Sequence, residues 1–108
     1  MRRFASLCRK ADFERLRRRG RRVATPILTL YRSEPYASDR TSLVGITVTK
    51  AVGKAVIRNK LRRRLAAIVH DALVDRPAMR LLIVPRPAAA GADFDALRAD
   101  VTSALEKP

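Results

Sequence analysis

One run, VGKAVIRNKLRRRLAAIVHDAL at 52–73, limits what this chain can fold into more than any other. Wound as a helix at about 100° per residue, it lines up Ile57, Leu61, Leu65, Ile68, Val69 and Ala72 in one stripe. The stripe is roughly 120° wide, enough to bury one side of a helix on a core. Asn59, Arg62, Arg63 and Ala66 point away from it, and Arg58, Lys60 and Arg64 sit on its borders. No Asp or Glu occurs between Arg40 and His70, while 54–64 holds six cations in eleven positions. Like charges one helical turn apart cost about 0.2–0.5 kcal/mol per pair. A solvated surface helix mixes its signs; this unmixed face asks for an outside polyanion.

The rest of the chain agrees. At 108 residues it is long enough for one domain, 1–108, with a modest core. A formal charge of +14 is unevenly spread: residues 1–70 hold 19 Lys/Arg against 4 acids, and 71–108 hold 5 against 6. Such asymmetry points to nucleic acid ahead of an anionic membrane. No apolar run approaches the length of a membrane span, and no apolar segment follows the basic start as a secretory signal would require. Cys8 is alone and cannot form an internal disulfide, which fits a reducing cytoplasm.

Residues 1–22 carry ten Lys/Arg, and 1–10 reads as a flexible basic arm. ADFERL at 11–16 predicts a short helix with Asp12 as N-cap and Gly20 as C-cap glycine. Period-two alternation over 23–32 predicts one strand, with Pro26 at its start. Leu28 and Leu30 share one face of it, and Ile27, Thr29 and Tyr31 the other. A turn-rich loop spans 33–42, then Val44, Ile46 and Val48 alternate with Gly45, Thr47 and Thr49 in a second strand. One face is apolar and the other small or polar, which suggests a sheet covered on one side with a groove on its open side. A turn around Pro77 spans 75–79, the apolar run 81–84 reads as a buried strand, and Phe94, Leu97, Val101 and Leu105 mark a last helix at 93–105.

No protein active site is legible. His70 is the only histidine and faces away from the apolar stripe, and one Cys with one His cannot supply a zinc site. GKAVIRNK lacks the second glycine and the GK[ST] ending of a P-loop. The binding chemistry is more specific. Arg58, Arg62, Arg63 and Arg64 can grip phosphate oxygens through paired N–H groups, and Asn59 can reach a base edge or a sugar. Phe13 and Tyr31 can stack unpaired bases beside a cationic groove; for Phe13 a core position is an equal reading, whereas Tyr31 lies on the polar strand face.

TVTKAVGKAVIRNKLRRRLAAI at 47–68 closely resembles the signature of the bacterial ribonuclease P protein subunit, a V-S-K-K-x-G-x-A-V-x-R-N-R-x-K-R element that opens a long helix. ADFERLRRRGRRVATPILTLY at 11–31 matches that family's D-F…G…V-A…L-Y pattern, and LLIVPRPAA at 81–89 its late strand ending in Arg-Pro. Three matches in order cover most of the chain.

The resemblance implies an α/β (α+β) three-layer sandwich of order αβββαβα, ribosomal-protein-S5-domain-2-like, with a left-handed βαβ crossover against the usual rule. It implies a protein that holds the catalytic RNA of ribonuclease P, where the RNA with Mg²⁺ removes the 5′ leader of precursor tRNA, and no small-molecule substrate. Carried over, Lys50, Lys54, Arg58, Asn59, Lys60, Arg62 and Arg63 would touch the catalytic RNA. Phe13, Arg17, Thr29, Tyr31, Thr47, Thr49 and Arg86 would line the groove for leader and tRNA. No residue is assigned to catalysis or to a metal. Lys60 replaces the family's last arginine of R-N-R, Ala66 stands where relatives often carry another, and Arg17 where an aromatic is common. A basic ribosomal or general RNA-binding protein would share the charge and size but not need Tyr31 on an open sheet beside R-N-K. A reader of duplex DNA and a membrane-surface helix are weaker rivals, for the helix is committed to a core and lacks aromatic anchors.

Overall fold

A computed structural model describes residues 4–7 and 9–107; Cys8 and the first three residues of the expected arm lie outside it. The elements run β1 (Phe4–Ser6), α1 (Lys10–Arg19), β2 (Arg21–Ala24), β3 (Leu28–Ser33), β4 (Ser42–Ile46), α2 (Ala55–Ala72), β5 (Arg80–Pro85) and α3 (Phe94–Glu106). Short 3₁₀ turns at Lys50–Val52 and Pro87–Gly91 lead into α2 and α3. The sheet order is β1-β4-β5-β3-β2. β1 and β5 lie parallel to β4, and β3 is antiparallel to both β5 and β2. β4 and β5 are therefore parallel neighbours joined through α2.

The main core forms where α2 and α3 cover one sheet face. Leu61, Leu65, Ile68 and Val69 of α2 meet Leu97, Val101, Ala104 and Leu105 of α3 over Leu28, Leu30, Leu81 and Ile83. The long helix thus buries its expected stripe except at its start, where Ile57 is 41 % exposed. There Ile57 lies beside Gly53, at the turn into the helix. Ala66, expected to point outward, is half-buried against this core. α3 covers nearly the span expected at 93–105, and the structure adds a cap: the Asp93 carboxylate accepts the Ala96 N–H at 2.8 Å.

The second face is not left open. α1 lies across it, and Leu7, Leu16 and Leu82 form a small core there with Phe13, Tyr31, Leu43 and Val84 at its margin. Helices on both faces of one sheet give the three-layer α+β architecture, with β1 as an added strand where a basic arm is expected. Asp12 does not cap α1: Arg9 precedes the helix without a side-chain cap, and Asp12 sits in its first turn, paired elsewhere. Gly20 closes α1 without a left-handed backbone (φ −70°). A Cβ there would stand 2.4 Å from the Leu16 carbonyl oxygen and 3.2 Å from that of Arg32, so close approach to the last turn of α1, with β3 beside it, is what requires glycine.

The strand expected over 23–32 is two strands, β2 and β3, folded into a hairpin. Thr25 makes the turn: its N–H donates to the Leu28 carbonyl at 2.8 Å, and its hydroxyl oxygen accepts the Leu28 N–H at 3.0 Å. Pro26 belongs to this turn rather than to a strand start, and Ile27 packs on the main core rather than beside Thr29 and Tyr31.

Candidate nucleic-acid interface

Three local features aim the start of α2. Gly53 takes φ +153°, a backbone that side chains rarely adopt, and so turns the chain between the 3₁₀ turn and the helix. Lys54 occupies the N-cap without a side-chain bond, which leaves its ammonium exposed. Beyond it Asn59, Lys60 and Arg63 are exposed, and Arg58, Arg62 and Arg64 half-exposed. The Asn59 side-chain oxygen accepts from Arg62 Nη1 at 2.8 Å, so Asn59 steers a guanidinium and keeps its amide N–H groups outward. The Arg58 Nε is buried with no hydrogen-bond partner among the described residues. Such a donor costs about 1–3 kcal/mol left unmade.

On the α1 side, Phe13 sets the shape. A Cβ on Gly45 would stand 2.5 Å from the Phe13 ring, so the absence of a side chain on β4 lets the ring settle on the strand. Beside it Lys10, Phe13, Glu14, Arg17 and Thr47 line an open hollow of about 390 Å³. Tyr31 is half-buried, with Leu82 as its cross-strand partner, and Thr29 is buried, so neither is a free groove wall. Thr47 and Thr49, expected within the second strand, lie past the end of β4; Thr49 and Arg86 are exposed just before the two 3₁₀ turns. The expected groove residues thus divide: Phe13, Arg17 and Thr47 come together, while Thr29 is covered.

A second hollow, of about 470 Å³, runs around the sheet edge where β1 ends before β4 does. Phe13 and Gly45 line it from one side, Arg62, Arg63 and Ala66 from the other. The residues expected on separate surfaces therefore share one channel. Lys10 and Glu14 were not legible as groove residues, because only the seating of Phe13 on Gly45 tells which side of α1 meets Thr47. Arg22 was missed too: it pairs across β2 and β3 with Tyr31, a register that needs the hairpin.

Few of the cations in the basic part of the chain are neutralised within the fold. Among the described residues both ion pairs belong to Arg80, a residue 7 % exposed at the start of β5. Its guanidinium donates to both carboxylate oxygens of Asp39, at 2.8 and 3.0 Å, and lies 3.5 Å from the Tyr36 ring centre. Its Nη1 stands 3.0 Å from Asp12, an ion pair without hydrogen-bond alignment. The Arg80 hydrogen bonds, with the Tyr36 N–H, hold the Asp39 carboxyl below the ordinary carboxylate range, and Asp39 in turn raises the Arg80 pKa. This clamp ties α1 to the sheet one residue before Phe13. A lone arginine opening an apolar run was its only signal in the sequence. His70 is half-buried on α2. Among the described residues no three His, Cys, Asp or Glu come close enough to hold a metal ion, and no helix is long and apolar enough to cross a membrane.

A family model described as Ribonuclease P matches residues 1–108. The chain is 36 % identical over 109 residues to a ribonuclease P protein component of Streptomyces avermitilis, covering 94 % of this chain and 89 % of that one. It is 41 % identical over 95 residues to the component from Acidothermus cellulolyticus, covering 87 % and 79 %. The fold is similar to that of the Staphylococcus aureus RNase P protein, with a TM-score of 0.84 at 24 % identity over 94 % of this chain and 92 % of that one.

Proposed function

The chain belongs to the ribonuclease P protein family as the protein subunit of that ribonucleoprotein, and from this premise we propose how its surface divides the work of tRNA processing. The start of α2 (Lys50, Lys54, Arg58, Asn59, Lys60, Arg62 and Arg63) grips the catalytic RNA. The channel beside α1 (Phe13, Arg17 and Thr47, with Tyr31, Thr29, Thr49 and Arg86 behind and beyond it) receives the single-stranded 5′ leader of precursor tRNA. The observation that carries this reading is the channel itself: a cationic helix face without acidic partners meets a half-exposed aromatic ring at a free strand edge. Guanidinium groups fit phosphates, and a ring beside them fits unpaired bases.

The whole chain acts as one RNA-binding domain in the cytoplasm. It contributes positioning and charge neutralisation. Mg²⁺ does not suit this site, since Glu14 is the single carboxylate at the hollow beside Lys10 and Arg17; the metal and the bond-breaking chemistry belong with the RNA and the substrate. The hollow beside Arg17 gives the test. Arg17 is exposed and makes no ion pair among the described residues, so Arg17→Ala leaves the fold intact. The variant should bind catalytic RNA as the parent does, yet capture leader-bearing precursor tRNA about tenfold less tightly, one charge-assisted contact being worth about 1.5–3 kcal/mol. Leaderless tRNA should be unaffected. Equal losses for leader-bearing and leaderless tRNA would sink the leader assignment.

A further inference from the structure

Another cationic surface lies at the opposite end of the sheet from the start of α2. Arg15 and Arg19, one helical turn apart on α1, stand near Arg21 of β2, and all three are exposed. Arg19, Arg21 and Arg32 line an open hollow of about 610 Å³ with Glu34 and Met79. Arg15 and Arg19 line the adjoining one, which reaches Tyr36 and Arg80.

Like charges are set together here in two ways. Arg15 and Arg19 are an i,i+4 pair of one sign, and Arg21 faces Arg32 directly across β2 and β3. Arg32 is occupied by carbonyl oxygens at the end of α3, donating to Leu105 at 2.7 Å and also to Lys107. Among the described residues Arg15, Arg19 and Arg21 make no ion pair. The acids in these hollows are Glu34 and Asp12, and Arg80 already holds Asp12. With Glu34 the one carboxylate left in these hollows against Arg15, Arg19 and Arg21, the repulsion is only partly offset within the fold and points to a polyanion.

The chemistry also says which form of polyanion. Tyr36 is the aromatic residue in these hollows, and its ring is covered by Arg80 at 3.5 Å and Arg15 at 5.1 Å. Two guanidinium groups thus already lie against the one ring. Charge without stacking suits the backbone of a helical RNA rather than a single-stranded leader. The six residues of β5 lead from this end to the 3₁₀ turn that packs beside the start of α2, a span of about 17 Å at ~3.3 Å per residue.

We propose that Arg15, Arg19 and Arg21 form a second contact with a helical segment of the catalytic RNA, apart from the face of α2. The proposal rests on the chain's role as a subunit that binds that RNA. Two rigidly spaced contacts on one RNA raise affinity through effective concentration, each holding the other in reach.

Titrating catalytic RNA against Arg19→Ala/Arg21→Ala, Arg19→Lys/Arg21→Lys and Arg58→Ala/Arg63→Ala at several salt concentrations tests it, with circular dichroism checking each fold. The Arg19→Ala/Arg21→Ala pair should weaken binding at least tenfold and shallow the log–log salt slope by about 1.8, at ~0.9 per phosphate of a double helix. The lysine pair should keep most of the slope. Parental affinity and slope in the Arg19→Ala/Arg21→Ala protein would overturn the proposal, as would a loss confined to precursor tRNA added to the assembled complex. A loss there with none in Arg58→Ala/Arg63→Ala would support this surface and count against the α2 face instead.

Discussion

Arg80 shows how a single side chain can be buried for the sake of its neighbours. Its guanidinium joins the 33–42 loop, through Asp39 and Tyr36, to the first turn of α1, through Asp12. None of this is local: Asp39 lies 41 residues away in sequence. Nothing near Arg80 in the chain could have announced the bond, whereas the outward arginines of α2 declared themselves by lacking acids nearby. The clamp carries a pH signature. Because the folded pKa of Asp39 is held below its unfolded value of about 3.9, its contribution is fully present above that value and is lost as pH falls through the folded pKa. The parent should therefore show a level Tm from neutral pH down to about pH 5 from this group, then a fall below about pH 4. Asp39→Asn should melt lower at neutral pH, and the gap to the parent should close on acidification. Parallel Tm curves for the two proteins down to pH 3 would show that Asp39 does not stabilise through its charge.

Among the elements, the helices were the most legible. The 3.6-residue period of α2 and α3 continues without interruption. The hairpin was hidden because Thr25 and Ile27 read as strand residues, yet the Thr25 hydroxyl replaces a strand partner and makes the turn. β1 was hidden because three residues are too few to show a period. The period of α1 predicted a helix but not that it would cover the second sheet face; that follows from Phe13 finding a strand position with no Cβ. Gly45→Ala tests the docking. The new methyl would meet the Phe13 ring at 2.5 Å, so the ring must turn away from its seat on β4. Forcing extra carbon into a packed contact costs about 1–3 kcal/mol, and at ~4–8 °C per kcal/mol for a domain near this size the Tm should fall by at least about 4 °C. Leader capture should weaken with it while binding of catalytic RNA is retained. An unchanged Tm with unchanged leader capture would show that Phe13 is not seated on Gly45.

For the whole molecule, the fold turns a charge excess into directions. The main core takes the apolar stripe of α2 and sends its arginines outward, and α1 leaves the edge of β4 open beside Phe13. Composition alone announced the partner class, and the resemblance of 47–68 announced the family; the meeting of both expected surfaces at one channel required the sheet order. Among the described residues only Arg80 neutralises its charge within the fold, so the association should be driven by counterion release. The most direct measurement is the dissociation constant for ribonuclease P catalytic RNA across a fourfold rise in salt, for the parent and for Arg58→Ala/Arg63→Ala. With about six phosphates neutralised at ~0.7 each, the parent should lose roughly 300-fold in affinity, and the variant should bind more weakly at the lowest salt with a slope shallower by about 1.4. A parent affinity that holds constant across the series, or a variant indistinguishable from the parent, would contradict an RNA grip built on the face of α2.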